Sequence, residues 1–229
     1  MGLQLNEELS FASYYAGANK LAVEAVAKAA CGEEQFVFLC GPTETGKSHL
    51  LQAAVREALG AGKSAFYLSL SDLNQPGFEF SPEILPQLAT FDLVAIDNIG
   101  AISGSPDWQD SVFALFNQLR EMRHSLLVAD LLAPAQLGFS LADLQSRMSW
   151  GLSVTLQTLG DEEKQNILQN CASGRGFELP NEVARYLLTH FSRSLEQQLN
   201  WLHQLDSAAL ASRRKLTIPF VKAVLTADR

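Results

Sequence analysis

The stretch GPTETGKS, residues 41–48, decides how this chain is read. It fits G-x-x-x-x-G-K-[ST], a loop whose glycines let backbone N–H groups and the next helix N-terminus turn toward phosphate oxygens. Lys47 adds a compact positive charge for the β- and γ-phosphates, and the Ser48 hydroxyl suits Mg²⁺. The apolar run FVFLC (36–40) precedes the loop. KSHLLQAAVREAL (47–59) follows it, with Leu50, Leu51, Ala54, Val55 and Leu59 on one helical stripe. That strand–loop–helix context separates a phosphate cradle from an ordinary Gly-rich turn. Gly41, Pro42, Thr43, Glu44, Thr45, Gly46, Lys47 and Ser48, with the adjoining His49, are the candidate nucleotide-binding residues.

A second apolar strand, FDLVAID (91–97), ends in Asp97, where a carboxylate could hold Mg²⁺. Asn98 follows, at a position where nucleotide hydrolases often carry a water-activating acid. An amide orients water but brings neither charge nor basicity. Slow intrinsic hydrolysis is therefore expected. Glu44 departs from related loops, which often have glycine there. Its carboxylate either points to solvent or opposes a triphosphate.

Further short apolar runs, SAFYLSL (64–70), SLLVAD (125–130) and LSVTLQ (152–157), read as strands. Their nearly continuous apolar character predicts cover on both faces, as in a parallel sheet. LAVEAVAKAA (21–30) and WQDSVFALFNQLREM (108–122) have helical spacing, the latter through Val112, Leu115, Phe116 and Leu119. The alternation predicts an α/β domain with helices on both faces of the sheet. From residue 160 only helices are expected, over 160–173, 179–191, 194–210 and 216–225, with Pro180 and Pro219 near two of the starts. The expected division is an α/β domain over 1–159 and a small all-α domain over 160–229.

Bulk chemistry narrows the partners. With 17 Lys+Arg against 25 Asp+Glu the formal charge is −8, so bulk attraction to DNA or anionic lipid is not expected. Cys31, Cys40 and Cys171 show no C-x-x-C spacing and read as free thiols of a reducing compartment. MGLQLNEELS lacks the basic and apolar regions of a signal peptide, and no apolar run is long enough to cross a bilayer. A cytoplasmic location without membrane contact is expected.

Several segments together resemble a known family. GKSHLLQA (46–53), AIDNI (95–99), LQSRMSWGL (144–152), GRGFELPNEVARYLL (174–188) and RRKLTIPFVK (213–222) look like the AAA+ module of DnaA-like replication initiators, above all the shorter Hda-type regulators. The resemblance covers almost the whole chain, which ends where DnaA would continue into its DNA-binding domain. It implies a five-stranded parallel AAA+ P-loop sheet between helices, followed by a helical lid. FASYYAGAN (11–19) is similar to the F-x-x-[FY]-x-x-G-x-N segment that encloses the base. Phe11 and Tyr14 would then lie near adenine, and Gly17 would allow close backbone approach. Read alone, the two aromatics equally suit an ordinary packed pair. Asp130 falls at the sensor-1 position, where the family usually has arginine next and this chain has Leu131. Arg193 matches the sensor-2 arginine of the lid, though taken alone it reads as a solvated helix-start residue. Arg147 matches the arginine finger, which points into a neighbouring subunit's nucleotide site. Without the family it reads as a surface arginine, solvated or paired with Asp143.

What the resemblance implies is a regulator rather than a hydrolase for its own nucleotide. ADP or ATP with Mg²⁺ would be held by Lys47, Ser48, Asp97 and Arg193, with ADP as the resting ligand. Arg147, supplied in trans, would promote hydrolysis of ATP bound to DnaA and so suppress repeated initiation. The DNA-loaded sliding clamp would be recruited through an N-terminal peptide. Here LQLNEELSF (3–11) offers Gln4, Leu5 and Leu9 but no Leu-Pro-Leu core. Two other readings stay open. A self-contained DnaA-related ATPase or helicase loader would turn over ATP alone, as a homo-oligomer. A non-catalytic adaptor would bind its partner without accelerating hydrolysis.

Overall fold

Strand β1 (Phe36–Cys40) is buried at every position, as its unbroken apolar sequence requires. In the computed structural model, which describes residues 9–71, 80–191, 195–212 and 216–225, its side chains alternate between two cores. Phe36, Phe38 and Cys40 enter one, with Leu68, Val94, Ile96, Leu126 and Val128. Val37 and Leu39 enter the other, with Leu93, Ala95, Leu127 and Ala129. Strand periodicity of two thus serves both faces at once, which is why no polar alternation is seen.

Strands β2 (Ala65–Ser69), β3 (Leu93–Asp97), β4 (Ser125–Asp130) and β5 (Leu152–Thr155) complete a five-stranded parallel sheet of order β2-β3-β4-β1-β5. Helices α1 (Lys20–Cys31) and α2 (Lys47–Gly60) cover the face of Val37 and Leu39. The opposite face is covered by α3 (Pro106–Met122), α4 (Ala142–Met148) and a 3₁₀ stretch over Pro82–Thr90. Leu50 and Leu51 of α2 are fully buried, each contributing about 1.5–3 kcal/mol by leaving water. Register aligns Cys40 with Asp130 and Asp97 with Ala129, so the carboxyl ends of β1, β3 and β4 finish level. Open parallel sheets bind ligands outside this edge.

Two features differ from the sequence expectation. β5 stops at Thr155 and is largely exposed, because it pairs with β1 and lies at the sheet edge; Leu152 is 44% exposed. The 3₁₀ stretch and α4 are elements that the periodicity did not announce. Pro82 and Pro86 interrupt any 3.6-residue stripe in the first, and the second is only seven residues long.

The chain divides into two compact units, Met1–Gln157 and Thr158–Arg229. The second contains α5 (Asp161–Gly174), α6 (Asn181–His190), α7 (Leu195–Ser212) and α8 (Ile218–Leu225). They enclose Leu168, Val183, Leu187, Leu202, Leu205 and Val221 in a core of their own. Asp161, Glu162 and Glu163 sit in the first turn of α5, and Glu163 reaches back to accept from the Gly160 N–H at 2.9 Å. Pro180 directly precedes α6, where its lack of an N–H costs nothing. Among the described residues no helix is long and apolar enough to cross a membrane.

Candidate nucleotide site

The loop between β1 and α2 turns on three residues of positive φ: Gly41 at 142°, Glu44 at 65° and Gly46 at 85°. Close approach dictates both glycines. A Cβ at Gly41 would lie 2.6 Å from the Leu156 carbonyl oxygen, and one at Gly46 would lie 2.5 Å from Tyr14 Cε2. Glu44 keeps the same handedness with a side chain, at a cost of roughly 1–2 kcal/mol. That is the physical reason glycine is common at this position.

Lys47 opens α2 and is 8% exposed. Its Nζ donates to the carbonyls of Gly41 and Pro42, both at 2.7 Å. Burial pulls its pKa below the ordinary lysine value, while the carboxylates of Asp97 and Asp130 push it back up. The ammonium therefore sits in the field of the β3 and β4 ends. Thr45 Oγ1 donates to the Pro42 carbonyl at 3.0 Å, bracing the loop from inside. Pro42, Thr43, Glu44 and Ser48 are exposed along its outer side.

Asp97 is 1% exposed. Its Oδ2 accepts from the Tyr67 hydroxyl at 2.9 Å, and its Oδ1 accepts from the Asn98 N–H at 3.0 Å. Burial, then the Asp97 charge, holds the Tyr67 phenol far above its usual range, so it stays a donor. Asp130 ties two loops together: Oδ2 accepts from the Gly100 N–H at 2.6 Å and Oδ1 from the Leu132 N–H at 3.1 Å. A Cβ at position 100 would stand 2.8 Å from that carboxylate, which would have to shift to admit it. Leu131 next to it is 51% exposed.

The segment before α1 braces the same loop. The Tyr14 hydroxyl donates to the Thr45 carbonyl at 3.0 Å, and its ring meets His49 edge-on at 5.3 Å. His49 Nε2 lies 2.9 Å from the Ser10 carbonyl oxygen, and burial lowers its pKa. Phe11 instead lines a cleft beside the second half of α2, with Ala53, Arg56 and Glu57. Gly17, at φ 46°, starts the 3₁₀ turn Gly17–Asn19.

This arrangement has counterparts among known proteins. A family model described as IstB-like ATP binding protein matches residues 5–136, and one described as Hda, lid domain, matches residues 161–225. Domain III of the Thermotoga maritima replication initiation protein DnaA superposes with TM-score 0.78 at 19% identity, covering 98% of each chain. A replication initiator DnaA bound to AMPPCP and single-stranded DNA gives 0.72 at 27% identity, over 92% of this chain and 69% of that one. AMPPCP-bound DnaA from Aquifex aeolicus gives 0.72 at 28% identity, over 87% and 66%. The chain belongs to the DnaA/Hda-like AAA+ family. It has that family's nucleotide-binding fold.

Of the remaining expected residues of this AAA+ protein, Arg147 is described. Arg147 lies near the end of α4, on the sheet face opposite α2, with its guanidinium 5.8 Å from the centroid of Phe116. Among the described residues it makes no ion pair, with Asp143 or any other acid. Beside it, Arg120 stacks on Trp150 at 4.6 Å, and Trp150 is 49% exposed. Arg193, Gln4 and Leu5 lie outside the described residues.

Tyr67 and Asn19 belong to the site without having been expected there. Tyr67 pairs with Ala95 in register, so it shares a face with Asp97, but that relation exists only once the strands are aligned. Asn19 grips the end of the first unit like a short strand. Its Nδ2 donates to the Gln157 carbonyl at 3.0 Å and its Oδ1 accepts from the Gln157 N–H at 2.8 Å. It closes the FASYYAGAN segment, which was the available signal.

Asn98 also acquires a conformational role. Its φ and ψ are 57° and 48°, and it opens the 3₁₀ turn Ile99–Ile102. Asparagine tolerates this left-handed region far better than a β-branched residue. Asn98→Gly should keep stability within about 0.5 kcal/mol, whereas Asn98→Val should lose about 2 kcal/mol, read from urea unfolding midpoints.

Proposed function

We propose that this chain binds ADP or ATP with Mg²⁺ and stimulates hydrolysis of ATP held by a DnaA-type partner, with Arg147 as the group supplied in trans. The observation that carries the reading is the placement of Arg147. It stands on the face opposite α2, is held by a ring rather than a carboxylate, and so keeps its fork of donors for an external acceptor. The family membership and the DnaA likeness support the choice of partner.

In this reading the chain's own nucleotide is a ligand of state, with ADP at rest. Loop N–H groups and the α2 N-terminus bind its phosphates, and Lys47 leaves the Gly41 and Pro42 carbonyls to reach them. Ser48 and Asp97 offer oxygen ligands suited to a hard cation. When bound, Mg²⁺ would supply positive charge that offsets the charge of the phosphates. Arg193, outside the described residues, would add a cation for the phosphates. Tyr14 would lie beside the base, and Asp130 would fix the loops around the phosphates. Asn98 is tolerated because the catalytic acid belongs to the partner.

The test is single-turnover loss of ATP preloaded on the cognate DnaA, with sliding clamp on DNA, using wild type and Arg147→Ala. Acceleration by wild type that vanishes in the variant supports the reading. If neither form accelerates hydrolysis while both still bind DnaA, the chain is an adaptor and the mechanism is wrong. Turnover by the chain alone would favour a self-contained ATPase.

Glu44 bears on which nucleotide is preferred. An exposed carboxylate near a triphosphate opposes it by on the order of 1 kcal/mol. Glu44→Gly should therefore favour ATP over ADP by about fivefold relative to wild type, measured by titration calorimetry. Equal shifts for both nucleotides would place the side chain in solvent.

A further inference from the structure

Ser48 and Gln52 stand one turn apart on α2, so they share one face of that helix. Gln52 and Ser69 lie beside the Tyr67 phenol, and that phenol donates to Asp97 Oδ2 at 2.9 Å. The other carboxylate oxygen takes the Asn98 N–H at 3.0 Å. Each oxygen of Asp97 is thus used once and retains a lone pair. The carboxylate cannot rotate without breaking one of two bonds in a buried setting. A short relay therefore links the helix that carries the loop serine to the acid on the strand across from it.

We infer that Tyr67, steadied by Gln52, is a positioning residue that aims the Asp97 carboxylate at the Mg²⁺ of the bound nucleotide. The inference rests on the reading that Asp97 serves a nucleotide-bound metal. Partners that orient a metal-binding carboxylate matter because a rotated ligand must be reordered each time the ion binds. Tyr67 is suited to this role because its ring packs against the core of α1 and α2, which fixes where the hydroxyl points. Its contact is with Asp97, so its effect should appear only when the cation is present.

The experiment compares ADP affinity of the full chain and Tyr67→Phe by calorimetry, in Mg²⁺ and in EDTA. Phenylalanine keeps the packed ring and removes only the hydroxyl. The expected result is about tenfold weaker ADP binding in Mg²⁺, with unchanged binding in EDTA. Gln52→Ala should show a smaller loss of the same kind. Mn²⁺ substituted for Mg²⁺ should give an altered electron paramagnetic resonance line shape in Tyr67→Phe. If wild type itself shows no gain from Mg²⁺, the Asp97–metal reading falls and takes this inference with it. If wild type gains and Tyr67→Phe gains equally, the positioning role alone is overturned. A loss of equal size in Mg²⁺ and EDTA also overturns it, since the hydroxyl would then shape the pocket rather than the metal ligand.

Discussion

Arg147→Ala is expected to leave nucleotide binding by this chain intact while abolishing the stimulation of partner ATP hydrolysis proposed for it. The loss should be on the order of 10³–10⁵ in rate, the range found for arginine fingers, or about 4–7 kcal/mol of barrier. The two effects separate because Arg147 stands on the opposite sheet face from α2 and its loop. Arg147→Lys should recover little: an ammonium keeps the charge but loses the planar fork and the stacking on Phe116. Single-turnover hydrolysis of partner-bound ATP, with calorimetric ADP binding as the control, checks both halves. A variant that lost ADP affinity in parallel would show that the arginine supports the fold rather than the reaction.

The second large effect belongs to Gly41→Ala. The added methyl would lie 2.6 Å from the Leu156 carbonyl oxygen in a residue whose φ is 142°. Neither partner can retreat, because the Leu156 N–H donates to the Cys40 carbonyl at 2.7 Å and Cys40 directly precedes the glycine. Clash and strain together should cost about 3 kcal/mol or more, near the top of what single substitutions do. Urea unfolding should show the loss, and ADP affinity should fall with it. Gly60→Ala is the contrast. An added Cβ at the end of α2 meets nothing within 4 Å, so the change should be neutral or stabilise by up to about 1 kcal/mol.

Local chemistry made much of this legible. SLLVAD and KSHLLQAAVREAL announce β4 and α2 because strand and helix each need their own apolar period, and the loop between β1 and α2 is written in glycines. The alternation of β and α runs gave the parallel sheet before any neighbour was known. What stayed hidden depends on register and tertiary contact. Tyr67 reads as one more aromatic of a strand until β2 is aligned with β3. Asn19 reads only as the last residue of FASYYAGAN until Gln157, distant in sequence, comes to lie against it. Glu44 looks like an anomaly of charge, yet its φ shows that backbone conformation is the stronger constraint at that position. For Arg147, the residues alone offered a surface arginine, solvated or paired with Asp143, and the structure places its guanidinium near Phe116 without an ion pair among the described residues.

The left-handed turn at Asn98 also limits how this sequence can drift. A glutamate placed after Asp97 would stand in a backbone that costs it about 1–2 kcal/mol, a cost that the shorter aspartate largely escapes. The new acid would stand beside a buried carboxylate that already takes the N–H of the same residue. Gain of base chemistry and loss of stability would arrive in one mutational step. Such a step survives only in a background that has stability to spare, so the history of substitutions elsewhere decides whether it is accessible. The turn thereby acts as a ratchet that makes a second acid at this position costly to acquire.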